Sequence, residues 1–516
     1  MIDMKEKQVL NRKNIVNIFL TVLIILLGTV FVYINLVQYK LGLNADVAAE
    51  GLLAKVMWES KEWIPKEWYF GNELRLISTP NFAALFYGIT QNICLSMGLS
   101  CVVASVFVVG GAFYLSKALD FSVTQKLMLI FLVMMLPNSK AQIELMFIYA
   151  GYYAFQIGLY FITLAVYLKL LKKRKIQKAT VIIVCFLHFV LGMQGVRGLL
   201  MITGPLMAVE IVRRLYLWWM TKEWKDGSNV VTGFVLILNI LEYLGGKFPM
   251  SVGHPLSRNI RKAPQKLFEV VVPDFLNTLG WNDISKIEKY VFMLCLCLML
   301  FLAVRMVVNG IRKSKITEDE WIFMNFFVSM LLTMAALTFT TSESSSRYFA
   351  VVYFAIAMSL VMLFGKENKF AKLGVFLGIA VLFAGNCCRM YYPMVTDKSY
   401  KDNVYVQVGE YLLQEGYEWA YSDFEKGNTL TVYNDGKIQV SAVSSLANME
   451  VCKCLSSRKW YVPNVPKDSK TAYVVPEYCM EEMEEFLKEH EDVEFKTQIG
   501  IYHIYGSDYN YSKLVD

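Results

Sequence analysis

Residues 15–36 read IVNIFLTVLIILLGTVFVYINL, a run without a single charged side chain. An α-helix rising about 1.5 Å per residue crosses about 30 Å of hydrocarbon in ~20 residues, and this run is long enough to do so. Lys5, Lys7, Arg12 and Lys13 precede it. It is too long for the apolar core of a secretion signal, and no small-residue cleavage pattern follows, so it reads as a retained first span with a cytoplasmic N-terminus. Similar blocks recur at Gln91–Leu115, Met146–Leu171 and Tyr290–Val308. Hydrophobic residues make up 56% of the 516 and charged residues only 18%. Soluble domains carry nearer a quarter charged residues, so most of this surface faces something other than water.

The net charge of +7 raises the question of nucleic acid, but the cations sit where membrane topology wants them. They cluster at Lys5–Lys13, Lys117–Lys126, Lys172–Lys178, Arg213–Lys225, Arg312–Lys315 and Lys366–Lys372. Spans at 15–37, 91–116, 123–136, 144–171, 178–192, 198–212, 229–246, 288–309, 321–340, 347–364 and 372–386 put every cluster on the cytoplasmic side, as the positive-inside rule expects. The fold class predicted is an α-helical polytopic membrane protein of about eleven transmembrane helices. Residues 1–390 form the membrane domain, with a large first outside loop at 40–90, and 398–516 form a small extracytoplasmic α/β domain. No nucleic-acid partner is implied. Cys94, Cys101, Cys185, Cys295 and Cys297 fall in spans as small apolar residues. Cys387, Cys388, Cys452, Cys454 and Cys479 fall outside, where a disulfide is open to them, and none has metal-ligand spacing with histidine.

In the first outside loop, Asn44 is placed to cap a helix whose Ala48, Ala49, Leu52, Leu53, Val56 and Met57 recur at helical spacing. Asp46 and Glu50, four apart, share one face near its start, where the helix dipole favours negative charge. Trp58, Trp63, Trp68, Tyr69 and Phe70 follow, aromatics suited to the headgroup level. The pattern predicts an amphipathic helix lying along the outer leaflet. Other outward polar groups are Arg197 in a glycine-rich bend, then His254, Arg258, Arg261 and Lys262, and finally Glu343, Arg347 and Tyr348 in the connection before the tenth span. Taken singly, each such arginine is an interface anchor; together they suit an anionic group such as a phosphate or pyrophosphate.

Asn44-Ala45-Asp46-Val47-Ala48-Ala49-Glu50, running through Pro65-Lys66-Glu67-Trp68-Tyr69-Phe70-Gly71-Asn72-Glu73-Leu74-Arg75, resembles the first periplasmic loop of bacterial GT-C-fold glycosyltransferases. Gly195-Val196-Arg197-Gly198 and Ser346-Arg347-Tyr348-Phe349 look like recurring elements of that group. The tail Glu415-Gly416-Tyr417-Glu418-Trp419-Ala420-Tyr421, with Leu430 and Asp435-Gly436-Lys437-Ile438, is similar to an exported domain of related membrane proteins. The resemblance implies a GT-C-like fold in a bacterial cytoplasmic membrane. It implies transfer of a sugar from a polyprenyl-phosphate carrier to a glycan, lipid or protein acceptor at the outer face, with inversion. Asp46 then serves as base, joined by Glu50 as a second catalytic carboxylate. Arg347, Arg197, Arg258, Arg261 and Lys262 bind the donor phosphate, and Arg75, His254, Glu343 and Tyr348 contact substrate. Many of these enzymes carry adjacent acids in the first loop, whereas Ala45 precedes Asp46 here. That departure leaves the use of a divalent metal open; no other cofactor is expected.

Two other classes share the topology. A polysaccharide polymerase or ligase tends to carry one long outside loop between spans, whereas the large exported piece here is C-terminal. A flippase or transporter calls for buried midplane charges and repeated halves; few spans hold a central charge, and no clear repeat is found. In the tail, Asp402–Gln414 and Met480–His490 are predicted helices, Thr429–Tyr433 and Lys437–Ala442 a hairpin around Asn434-Asp435-Gly436, and Ala472–Val475, Val493–Gly500 and Ile501–Tyr505 strands.

Overall fold

The computed structural model describes residues 2–71, 73–221, 229–248, 257–312, 314–364 and 370–513. The chain forms two compact units. The first comprises Met1–Val30, Ala104–Met146 and Tyr152–Tyr392, and the second Phe31–Val103, Phe147–Gly151 and Pro393–Asp516.

The helices of the first unit wear an apolar exterior. On Lys286–Ile311, Phe292, Cys295, Met299 and Leu302 are buried, while Tyr290, Leu294, Phe301 and Val304 on the other side are exposed. Ile182, Ile183 and Phe186 on Lys178–Gln194, and Leu236, Ile237 and Ile240 on Asn229–Gly245, are likewise exposed. Such a surface is tolerable only against lipid. The protein is a multi-pass membrane protein. Among the described residues, six helices are long and apolar enough to cross: Asn14–Val37, Ile93–Ala118, Ala154–Leu171, Lys286–Ile311, Glu318–Phe339 and Ser346–Phe364. Val123–Met135, Lys178–Gln194 and Asn229–Gly245 are apolar but shorter.

Two predicted spans differ in form. The stretch 144–171 is not one helix: a short helix ends at Glu144, and Ala154–Leu171 begins anew. Between them Tyr149 and Gly151 take φ of 58° and 54°, which a right-handed helix cannot accommodate. The stretch 198–212 opens with a π-helical turn, Leu199–Thr203, before continuing as Gly204–Thr221. Lys178–Gln194 and Asn229–Gly245 pack backbone against backbone. A Cβ on Gly192 would lie 2.1 Å from the Glu242 carbonyl oxygen, and one on Gly245 would lie 2.1 Å from that of Phe189.

In the second unit, the helix Ala45–Ser60 is buried around most of its circumference, which corrects the outer-leaflet amphipathic reading. Its small residues explain why: Ala45, Ala48, Ala49, Gly51 and Ala54 let neighbours approach on every side, and a Cβ on Gly51 would come within 2.7 Å of Ile93. The helices Thr79–Thr90 and Phe424–Tyr433 pack against it. Trp68 is a core residue rather than a headgroup anchor, its ring edge-on to Trp460 with centroids 5.6 Å apart. It belongs to strand β1 (Trp68–Tyr69).

The C-terminal residues build a six-stranded mixed sheet from β2 (Trp419–Asp423), β3 (Val440–Ser445), β4 (Glu450–Val451), β6 (Thr471–Pro476), β7 (Glu494–Ile499) and β8 (Tyr502–Ser507), in the order β4-β3-β2-β6-β8-β7. The short β5 (Ser456–Ser457) lies outside it and pairs antiparallel with β1. The helices Val404–Gln414 and Met480–Leu487 and the strands β6, β7 and β8 follow the sequence pattern closely. The hairpin does not form. Residues 424–433 are a helix, and β3 returns parallel to β2. Asp435 and Gly436 do turn the chain, at φ of 56° and 70°. Asn434, however, spends its amide on the Leu430 and Tyr405 carbonyls, so the turn ends a helix instead of joining two strands. Every cysteine is unbridged.

Replacing Gly245 by valine should destabilise the protein by about 1–3 kcal/mol or more, because the added side chain has only backbone to push against. Thermal unfolding in detergent of Gly245→Val beside Gly110→Val, whose glycine has open space around it, checks this.

Candidate functional site

Asp46 stands in the first turn of Ala45–Ser60, whose start is fixed by Asn44: its side-chain oxygen accepts from the Val47 amide at 2.9 Å. The Asp46 side chain is exposed. Among the described residues, its carboxylate takes no hydrogen bond or ion pair. Glu50, one turn on, is 4% exposed and differently placed. Its Oε1 accepts from Nε of Arg75 at 2.7 Å and lies 2.7 Å from Nη2, while Nη1 of Arg75 reaches Glu73 at 3.1 Å. Burial pushes the Glu50 carboxyl above its ordinary range, against the pull of Arg75. The same face thus carries one solvent-facing carboxylate and one bound into the core. Of the two, Asp46 faces solvent and Glu50 does not.

β5 runs along the loop that follows. The Leu455 amide donates to the Tyr69 carbonyl at 2.7 Å, the Arg458 amide to Glu67 at 2.8 Å, and Lys459 pairs with the Glu67 carboxylate at 2.7 Å. Cys454, just before β5, is near enough to Asp46 for that charge to add to the burial that raises its thiol.

In the first unit the structure brings together arginines 150 positions apart in the chain. Arg197 lies with its guanidinium carbon 4.0 Å from the centre of the Tyr153 ring and 5.4 Å from that of Tyr348, and Arg347 lies 5.5 Å from Tyr348. Tyr348 is therefore flanked by two cations, an arrangement worth about 0.5–2 kcal/mol per pair that also fixes the direction of each guanidinium. Arg347 sits on the 3₁₀ turn Ser346–Phe349. Beneath it, Thr278 donates to the Ser346 carbonyl at 2.7 Å, and Phe349 packs on Phe275 with centroids 5.6 Å apart.

Arg258, Arg261 and Lys262 are exposed on a loop that runs beside residues 339–342. Arg258 forms a β-bridge with Thr340, and the Asn259 amide donates to Phe339 at 2.9 Å. A pocket of about 440 Å³ lies there, lined by Asn259, Lys266, Val270, Thr341, Ser342, Glu343 and Ser344. Lys266 donates to the carbonyls of Thr340 and Ser342 at 2.8 and 2.6 Å. Neither Lys266 nor Tyr153 was singled out in the sequence. Lys266 was legible as one more cation on an outward loop, but Tyr153 had no signal beyond its type. His254 lies outside the described residues.

No protein-family model matches the chain, and no curated protein matches it in sequence. Solved structures do. ArnT from Cupriavidus metallidurans, bound to undecaprenyl phosphate, superposes with a TM-score of 0.56 over 94% of this chain and 97% of that one, at 10% identity. The fold is that of a GT-C membrane glycosyltransferase. The Archaeoglobus fulgidus oligosaccharyltransferase in complex with Zn and sulfate aligns at a TM-score of 0.49 and 11% identity, over 95% of this chain and 73% of that one. Its apo form aligns at 0.44, and the chain spans 65% of its length. Among the described residues, no group of three or more His, Cys, Asp or Glu side chains converges. Glu50 is already matched by Arg75.

Arg75→Ala should cost about 3–5 kcal/mol by leaving the Glu50 carboxylate buried and unmatched, and Glu50→Gln added to it should recover much of the loss. A double-mutant unfolding cycle reads this directly. The pH dependence has a defined sign. Glu50 holds its proton more tightly folded than unfolded, so its contribution is full below the ordinary glutamate value and is lost as pH rises through the folded one. Glu50→Gln should flatten that part of the stability profile.

Proposed function

We propose that the protein transfers a sugar from a polyprenyl-phosphate carrier to a cell-envelope acceptor at the outer face of a bacterial cytoplasmic membrane. The acceptor hydroxyl oxygen attacks the anomeric carbon and its proton passes to Asp46. The carbon–oxygen bond to phosphate breaks, and the polyprenyl phosphate departs. Direct displacement of this kind inverts the anomeric centre. Arg197 and Arg347 take up the charge that develops on the departing phosphate, with Arg258, Arg261, Lys262 and Lys266 supplying a positive surround. The reading places residues 1–390 in the membrane and 398–516 outside it. It gives Glu50 a supporting role, holding Arg75.

The observation that carries this reading is the convergence of Arg197 and Arg347 on Tyr348 in a chain with the GT-C fold. Two guanidiniums held on one ring suit a phosphate monoester or diester, and the Cupriavidus protein of the same fold binds undecaprenyl phosphate. Transport is less well supported. The buried helix carboxylates Glu210 and Glu242 are matched locally, by Arg213 and His188, instead of lining a path.

Transfer of radiolabelled sugar from polyprenyl-phosphate donors to membrane-extract acceptor, with purified protein, tests the reading. Asp46→Asn should lower turnover by about 10²–10⁴-fold with folding intact. Arg347→Ala and Arg197→Ala should each lower kcat/KM for the donor by about 10²-fold. Transfer that survives Asp46→Asn would remove the base. Arginine variants with an unchanged donor kcat/KM would remove the phosphate site.

A further inference from the structure

We infer that Glu242 and His188 are positioning residues for Arg197, holding the Gly195–Gly198 turn and the π-helical turn after it in the one arrangement that presents the guanidinium between Tyr153 and Tyr348. The inference rests on the assignment of Arg197 to the donor phosphate.

Glu242 and His188 are almost wholly buried, on helices whose outer faces are apolar. His188 Nδ1 lies 2.5 Å from Glu242 Oε1, and Thr203 donates to Oε2 at 2.6 Å. On the far side of the ring, Nε2 is 2.8 Å from the Thr163 hydroxyl. That hydroxyl donates its only hydrogen to the Leu159 carbonyl at 2.8 Å, so it accepts from the ring and Nε2 carries a hydrogen. Apolar residues of the same volume would pack here at no greater cost, since a buried ion pair is weak evidence for stability. What the pair does instead is local.

Its position is set by the glycine contacts. Gly192 and Gly245 let the two helices touch, and this brings the Glu242 carboxylate directly under Gly198, where a Cβ would come within 3.0 Å of Oε1. Gly195, at φ of 134°, makes the bend that leaves Arg197 at its apex. Thr203, which Glu242 holds, closes the π-helical turn Leu199–Thr203. Such a turn breaks the regular carbonyl ladder, and partners from other helices answer it: Asn239 donates to Thr203 O at 3.0 Å and Ser329 to Met201 O at 2.7 Å. The same carboxylate thus lies beside Gly198 at one end of the Arg197 segment and accepts from Thr203 at the other.

Glu242→Leu fills the space with an apolar side chain suited to a membrane helix but holds neither Thr203 nor His188. Glu242→Gln keeps a hydrogen bond to each. In full-length protein, Glu242→Leu should lower kcat/KM for the polyprenyl-phosphate-sugar donor about tenfold while leaving the acceptor KM within about twofold. Glu242→Gln should stay near wild type, and Glu242→Leu with Arg197→Ala should be no worse than Arg197→Ala alone. Amide hydrogen exchange over residues 195–204 should rise in Glu242→Leu and not in Glu242→Gln. An unchanged exchange rate in Glu242→Leu overturns the inference, as does a double variant in which the two losses multiply. If Arg197→Ala itself leaves the donor kcat/KM unmoved, the phosphate assignment falls instead. The exchange measurement then decides the positioning alone, upheld if raised and overturned if not.

Discussion

Hydrocarbon offers no water to answer a polar group, so each one buried in the membrane helices must find its partner within the protein. Several pairings in the first unit show how this is met. Glu210 accepts from Tyr167 at 2.9 Å, Arg213 at 2.7 and 2.8 Å, and Thr232 at 2.6 Å. Tyr160 donates to Asn325 at 2.6 Å and Asn138 to the Leu279 carbonyl at 2.6 Å. Tyr167, Glu210 and Thr232 come from three helices and Tyr160 and Asn325 from two, Asn138–Leu279 joins two connections, and Glu210–Arg213 lies within one helix. Satisfying polar groups and locating helices are therefore one process. The π-helical turn at 199–203 is the extreme case: Asn239 and Ser329 donate to its Thr203 and Met201 carbonyls, and Glu242 accepts from the Thr203 hydroxyl.

The features with local causes could be read from the chain. Spans followed from unbroken apolar runs, and Asn44 capped its helix as its side chain dictates. Arg197 and Arg347 stood out because cations are scarce on that side of the predicted topology. What depends on partners far along the chain was not legible. Asp46 and Glu50 were equivalent by spacing, yet Arg75, 25 positions later, draws one into the core and leaves the other exposed. The helix that carries them was read as half-exposed because its alanines are neutral in pattern; only the close approach of Thr79–Thr90 and Phe424–Tyr433 makes it a core element. The Asn434-Asp435-Gly436 turn was real, but its asparagine caps a helix, and a hairpin signal cannot distinguish the two.

The pairing of β1 with β5 sets a timetable. Trp68 and Tyr69 obtain their strand partners only from Ser456 and Ser457, and the helix that bears Asp46 obtains one of its walls only from residues 424–433. Lys40 likewise waits for Asp435, 3.1 Å away, and for the Tyr433 carbonyl. As the ribosome delivers the chain, the first loop carries an unpaired strand and an uncovered helix face until residues 424–457 emerge, both prone to stray association. The helix that bears Asp46 therefore acquires its finished surroundings only after residues 424–457 have been made.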